Sequence, residues 1–181
     1  MGPLYPPTSD RLKDDNFFSH LSKLSAADVK GFTMLKNLWI KENSLSTLDR
    51  ETLCQMPELR TLDLTNNSIS KLSADLFSCL SELRSLYIGG NVITSIQPGA
   101  FAGLDRLKFL KLRGNQLLEL SWGIFNNLTS LSHLDVSSNR INSIGPQTFA
   151  IQPTTNSLFY LGIQDNQLKV TFYYFLNGDG E

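Results

Sequence analysis

The stretch LRTLDLTNNSI, residues 59–69, decides the fold of this chain because the same eleven-residue pattern recurs along it. Equivalent leucines open five copies, the quoted one included, at positions 35, 59, 83, 107 and 131, each 24 residues apart. A sixth copy opens 27 residues later, at 158. Every copy fits L-x-x-L-x-[LIV]-x-x-N-x-[LI]. A fixed period of this length predicts a solenoid, in which each repeat packs only against its neighbours.

Leucines alternate with variable residues in the first half of each copy, which favours a short strand with one buried face. We therefore expect six parallel strands, centred near 37–41, 61–65, 85–89, 109–113, 133–137 and 160–164. An asparagine follows each strand in the predicted bend, where its amide must find backbone partners. This predicted ladder of structural asparagines consists of Asn43, Asn67, Asn91, Asn115, Asn139 and Asn166.

The second half of each repeat carries a further apolar pair, of which the later member is most often phenylalanine. Phe77, Phe101, Phe125 and Phe149 recur in register, so they predict an aromatic spine that fills the convex side. The fold class expected from both halves is an α/β repeat. It is a curved solenoid with a parallel sheet on the concave face and turns and short helical pieces on the convex face.

The repeat pattern divides the chain into three parts. Residues 1–34 are expected to form an N-terminal tail and a degenerate half-repeat cap, because Leu21, Leu24, Val29 and Phe32 keep only the second half of the pattern. Residues 35–168 hold the six repeats, with a loop expected at 151–157, and residues 169–181 form an irregular end. Ends without a polar cap would allow a homodimer.

Composition narrows the function classes. The chain has 181 residues, 41% of them hydrophobic and 18% charged, with a formal net charge of -1. This balance gives no reason to expect a nucleic acid partner, and no apolar run approaches the about 20 residues of a membrane span. Residues 1–15 lack the apolar core of a secretory signal, so we expect either a cytosolic protein or a piece of a longer precursor.

Catalytic and metal-binding patterns are weak. His133 and Asp135 lie two residues apart on one strand face, but no motif places a nucleophile beside them. There is no glycine-rich phosphate loop and no metal-ligand spacing, so we expect no enzyme activity, no cofactor and no metal. Cys54 and Cys79 lie on adjacent coils at non-equivalent positions, and we predict that they form no essential disulfide.

The surface is therefore the candidate site. Side chains between the buried leucines must point to solvent from neighbouring strands about 4.8 Å apart, which makes them contiguous. Large aromatic and cationic residues there are typical of interface hot spots. The predicted ligand-binding residues are Trp39, Tyr87, Phe109, Lys111, Arg113, His133, Asp135 and Tyr160.

The 24-residue length and the recurring phenylalanine resemble the "typical" subfamily of leucine-rich repeats. That subfamily is found in Toll-like receptor ectodomains, Slit-type guidance proteins, small leucine-rich proteoglycans and variable lymphocyte receptors. The resemblance implies an extracellular protein that binds other proteins through its concave sheet. Asn66 and Asn127 each precede Ser or Thr by two residues, so they are the expected N-glycosylation sites.

We interpret the chain as a protein-binding module of an extracellular receptor, adhesion or matrix protein, present at the cell surface as part of a longer precursor. Two alternatives stay open. The first is a cytoplasmic leucine-rich-repeat adaptor, which fits the missing signal sequence. The second is the substrate-recruiting part of an enzyme whose catalytic domain is absent from this chain.

Overall fold

The computed structural model describes residues 20–149 and 158–168. The N-terminal tail up to residue 19, the expected loop at 151–157 and the expected irregular end at 169–181 lie outside the described residues. The described elements, in chain order, are β1 (Asn37–Trp39), α1 (Arg50–Leu53), β2 (Thr61–Asp63), β3 (Lys71–Leu72), β4 (Ser85–Tyr87), β5 (Ser95–Ile96), β6 (Phe109–Lys111), β7 (Glu119–Leu120), β8 (His133–Asp135), β9 (Ser143–Ile144) and β10 (Tyr160–Gly162).

Six of these strands form one parallel sheet in the order β1-β2-β4-β6-β8-β10, which confirms the predicted solenoid. The central leucines of β1, β2 and β4 face one another directly, Leu38 against Leu62 and Leu62 against Leu86. Each strand has three residues, fewer than predicted. Pairing nevertheless continues beyond the strand ends, since the Ile40 N–H donates to the Asp63 carbonyl at 2.8 Å.

A left-handed residue ends the straight segment of every coil, two residues after the last buried apolar position. The backbone φ at this point lies between 53° and 70° in all six coils, at Glu42, Asn66, Gly90, Gly114, Ser138 and Asp165. Glycine adopts this conformation without steric cost. At Gly90 a β-carbon would also meet the amide oxygen of Asn66, whose side chain would have to move. The bend presents the next residue, the ladder asparagine, to the interior.

The ladder asparagines join each coil to the one before it. The Asn91 amide nitrogen donates to the carbonyls of Leu64, Ile88 and Gly89 at 3.0 to 3.1 Å, and its oxygen accepts the Ile69 N–H at 3.0 Å. One side chain thus hydrogen-bonds to the backbone carbonyls of its own bend and to two backbone groups of the preceding coil. Four ladder members are buried, namely Asn67, Asn91, Asn115 and Asn139.

Loss of one ladder amide should therefore be costly. We expect Asn91→Ala and Asn115→Ala each to lower the free energy of unfolding by about 1–3 kcal/mol, because buried backbone groups lose their partners. Denaturant melts followed by circular dichroism would measure the change. Asn142→Ala, at an exposed asparagine outside the ladder, is the matched control and should have little effect. Equal midpoints for all three variants would contradict the role of the ladder.

The convex side is packed around a column of phenylalanines. Ring centroids are 6.3 Å apart between Phe77 and Phe101, 6.1 Å between Phe101 and Phe125, and 6.2 Å between Phe125 and Phe149. These stacked rings confirm the predicted spine. The short helix α1 begins after Asp49, whose carboxylate accepts the Thr52 N–H at 2.8 Å and so caps the helix.

Two small parallel ladders were not predicted from the sequence. Strand β3 pairs with β5, and β7 pairs with β9, in the part of each repeat that follows the ladder asparagine. The sequence predicts turns there, because one recurring apolar residue without alternation does not indicate a strand. These two strand pairs are separate sheets, so β5 and β7 are not paired with each other.

The prediction of no essential disulfide rested on non-equivalent positions of Cys54 and Cys79, and that argument is wrong, because the two cysteines form a disulfide. Their Cα atoms are 5.2 Å apart, well inside the range that a disulfide requires. The prediction assumed that positions 25 residues apart fall out of register between coils with a 24-residue period. Cys54 caps the end of α1, and helical backbone advances only about 1.5 Å per residue, so an offset of one residue is easily bridged.

Candidate ligand-binding face

The concave face is the side of the six-stranded sheet that points away from the core. In β1, β2, β4 and β8 the central leucine is buried, and the residues on either side of it are half-buried. This alternation is what a pleated strand with one buried face requires. The flanking side chains therefore line up in two columns that cross all six strands.

One column contains three stacked rings, which we call the aromatic row: Phe109, His133 and Tyr160. Direct register of β6, β8 and β10 places these residues side by side. Ring centroids are 4.7 Å apart between Phe109 and His133 and 6.1 Å apart between His133 and Tyr160, with planes inclined by 26° and 23°. The faces that lie between the three rings cover one another, and the ring edges line the row.

The second column places a cation beside an aromatic ring. The Lys111 ammonium lies 5.5 Å from the centroid of the Tyr87 ring, as a cation–π contact requires. Arg113 is exposed two residues after Lys111, just past the end of β6. Trp39 is half-buried at the other end of the column, and Asp63 stands between it and Tyr87. The structure thus brings together all the predicted aromatic residues except Trp39.

His133 and Asp135 hydrogen-bond to neighbouring serines and not to each other. Nδ1 of His133 lies 2.9 Å from the hydroxyl oxygen of its neighbour Ser132. The Asp135 carboxylate accepts the N–H and the hydroxyl of Ser137, at 3.0 and 2.5 Å. Asp63 accepts the Thr65 N–H in the same way, so these aspartates hold the bend after the strand.

Gly162 explains why the last strand carries a large ring without crowding. A β-carbon at Gly162 would lie only 2.8 Å from a carboxylate oxygen of Asp135 and 3.0 Å from the Tyr160 hydroxyl. The missing side chain leaves room for both polar groups on the same patch of the concave face. Tyr160 itself is 46% exposed.

Sequence reasoning missed an exposed patch on the convex side of the fourth repeat. Trp122 is 63% exposed and Leu118 is 51% exposed. Leu118 also lines a cleft of about 280 Å³ between strands β5 and β7, which are not paired with each other. Trp122 occupies a turn position that is proline in the adjacent repeats, at Pro98 and Pro146. That break in the repeat pattern was the available signal.

The two sequon asparagines are both exposed but differ in surroundings. Asn127 lies in the convex turn after the buried Phe125, and the hydroxyl of Thr129 in the same sequon donates to the Asp105 carbonyl at 3.2 Å. Asn66 is the left-handed residue of its bend, and its amide oxygen lies over Gly90 of the next coil. A glycan at Asn127 would point away from the concave face.

Among residues 20–149 and 158–168, no three His, Cys, Asp or Glu side chains are placed to hold a metal ion. The same part of the chain contains no helix with the length and apolar character needed to cross a bilayer.

Comparison with known proteins agrees with this architecture. A family model described as leucine rich repeat matches residues 17–69, 57–117 and 110–168. The crystal structure of the TLR13–ssRNA13 complex contains a chain that superposes with a TM-score of 0.68 at 25% sequence identity. The match covers 81% of this chain and 25% of that chain, so it spans about a quarter of the length of the solved protein. No curated protein matches the sequence significantly.

Proposed function

Because this chain belongs to the leucine-rich-repeat family, we propose that it is a binding module whose protein ligand docks on the concave face. The observation that carries this proposal is the cluster formed by the aromatic row with Tyr87 and Lys111. Aromatic residues and cations of this kind dominate binding energy at protein interfaces. No other described part of the chain combines stacked rings with cations on regular backbone.

The scaffold favours tight docking. The cluster projects from strands whose central leucines are completely buried, so the backbone beneath it is ordered before any ligand arrives. Binding therefore costs little backbone entropy. An open sheet of this kind does not enclose a substrate or exclude water from it, which supports a binding role over a catalytic one.

We place the module outside the cell or on its surface, within a receptor, adhesion or matrix protein. The Cys54–Cys79 disulfide supports this placement, because disulfides persist in oxidising compartments and are rare in the cytosol. The same bond weighs against the cytoplasmic adaptor. N-glycosylation at Asn127 would be compatible with ligand binding, since that residue lies on the convex side.

Removing two rings of the cluster should abolish most of the binding. For a partner isolated by pull-down and then purified, we expect Tyr87→Ala combined with Phe109→Ala to weaken the affinity at least about tenfold, or 1.4 kcal/mol. The physical reason is the loss of aromatic area at the centre of the contact. Surface plasmon resonance with the wild-type and variant chains would measure the change.

The control is Trp122→Ala, which removes an equally large and more exposed ring from the convex side. It should leave the affinity unchanged. If Trp122→Ala weakens binding and the concave double variant does not, the ligand uses the convex patch and the proposal is wrong.

Sedimentation of the free chain tests the homodimer expected from uncapped ends, which would show twice the mass of one chain.

A further inference from the structure

Positive charge is concentrated on the concave face and its edge. The six segments 36–41, 60–65, 84–89, 108–113, 132–137 and 159–164 contain seven lysines and arginines and two aspartates, a net charge of +5. The whole chain carries -1, so everything outside these segments carries -6. A protein that is nearly neutral as a whole thus has net positive charge in the concave-face segments and net negative charge in the remaining sequence.

Four of these seven cations form no salt bridge with a described carboxylate. Within the part of the chain that the structure describes, Arg84, Lys108, Lys111 and Arg113 take part in no salt bridge, whereas Arg106, on the segment that leads into β6, is paired with Glu82. Arg84, Lys108 and Lys111 belong to adjacent coils, because Arg84 accepts the Lys108 N–H through its carbonyl at 2.9 Å. Their charges therefore add at one place on the surface.

The two aspartates of the face are already counted in its net charge of +5. Asp135 lies beside Lys111 in the sheet, forms no salt bridge with it and accepts hydrogen bonds from Ser137. Asp63 accepts the Thr65 N–H. The aromatic row presents ring edges, which carry the positive end of the ring quadrupole. Cations and ring edges both attract carboxylates.

We infer that the partner is an acidic protein surface, whose carboxylates meet Lys108, Lys111 and Arg113 while apolar side chains between them cover the aromatic row. This inference rests on the proposed function and adds the chemistry of the ligand. Charge complementarity of this kind speeds association and excludes neutral or basic competitors. Single-stranded nucleic acid fits less well, because bases stack on free ring faces and the faces between these three rings are occupied.

The test titrates the 181-residue chain against three labelled probes of equal length and follows fluorescence anisotropy. The probes are a glutamate-rich peptide with interspersed phenylalanines, the same peptide with glutamine for every glutamate, and an oligouridylate. We expect the glutamate peptide to bind at least about tenfold more tightly than the other two, and its affinity to fall as salt is added.

Charge reversal locates the contact. Lys108→Glu combined with Lys111→Glu should weaken binding of the glutamate peptide at least about tenfold. Lys71→Glu combined with Arg140→Glu changes the net charge equally at two exposed positions outside the six concave-face segments, and it should change the affinity less than about twofold. If the reversed chain does not fold, the pair Lys108→Gln with Lys111→Gln replaces it, with the same direction expected.

Three results would overturn the inference: equal binding of the glutamate and glutamine peptides, equal effects of the two charge-reversal pairs, or tighter binding of the oligouridylate. The last would assign the face to single-stranded nucleic acid. None of these depends on the alanine variants at Tyr87 and Phe109. If a purified partner needs those rings but the peptides do not discriminate, the face is right and only the acidic partner is wrong.

Discussion

Phe101→Ala is expected to lower the free energy of unfolding by about 3–5 kcal/mol, the largest effect of any substitution considered for this chain. Phe101 is 1% exposed and stacks on Phe77 at 6.3 Å and on Phe125 at 6.1 Å. Its removal would leave a cavity that touches three consecutive coils. A solenoid transmits stability only between neighbouring coils, so a gap in the middle of the spine weakens two interfaces at once.

Chemical denaturation of the oxidised protein, followed by circular dichroism, would measure this loss. Phe149→Ala is the matched control, because Phe149 is only partly buried and stacks on the same column through Phe125 alone among the described rings. Phe149→Ala should lower the free energy of unfolding clearly less than Phe101→Ala does. Equal destabilisation by the two variants would mean that the spine does not work as a continuous stack.

Breaking the disulfide is expected to cost about 3 kcal/mol. Cys54 and Cys79 are 25 residues apart in the sequence, and closing a loop of this length restricts the unfolded chain by about that amount. Cys54→Ala combined with Cys79→Ala should show this loss in a denaturant melt, and so should the wild-type protein after reduction.

The two routes check each other. Reductant should lower the midpoint of the wild-type chain and leave the midpoint of the double alanine variant unchanged. If reductant has no effect on the wild-type midpoint, the bond does not stabilise the folded state. The compartment inferred from it would then lose its main support.

The repeat period was enough to predict the arrangement of the core. A leucine that recurs every 24 residues must occupy the same place in every coil, so the parallel register of Leu38, Leu62 and Leu86 followed directly from their spacing. The phenylalanine spine followed in the same way, from a residue type that recurs in register. Repetition was also sufficient to predict which residues of each strand face solvent, since strand side chains alternate between two faces.

Contacts between non-repeated residues could not be predicted in this way. Trp39 and Tyr87 occupy equivalent positions, yet an aspartate separates them, whereas Phe109, His133 and Tyr160 stack because three neighbouring coils each supply a ring. The missing pairing between β5 and β7 depends on turn geometry, and the exposed Trp122 is indicated in the sequence only by a break in the repeat pattern.

The sequence by itself determined the solenoid, its six parallel strands, its buried leucines and phenylalanines and the set of residues on the concave face. Only the tertiary structure decided that Cys54 and Cys79 pair, that three rings stack on one another and that Lys108, Lys111 and Arg113 form no salt bridge with any described carboxylate. The physical reason is that a period specifies which positions are equivalent from coil to coil. Distances between non-equivalent side chains are set by the bends and turns, and these become defined only when the coils pack.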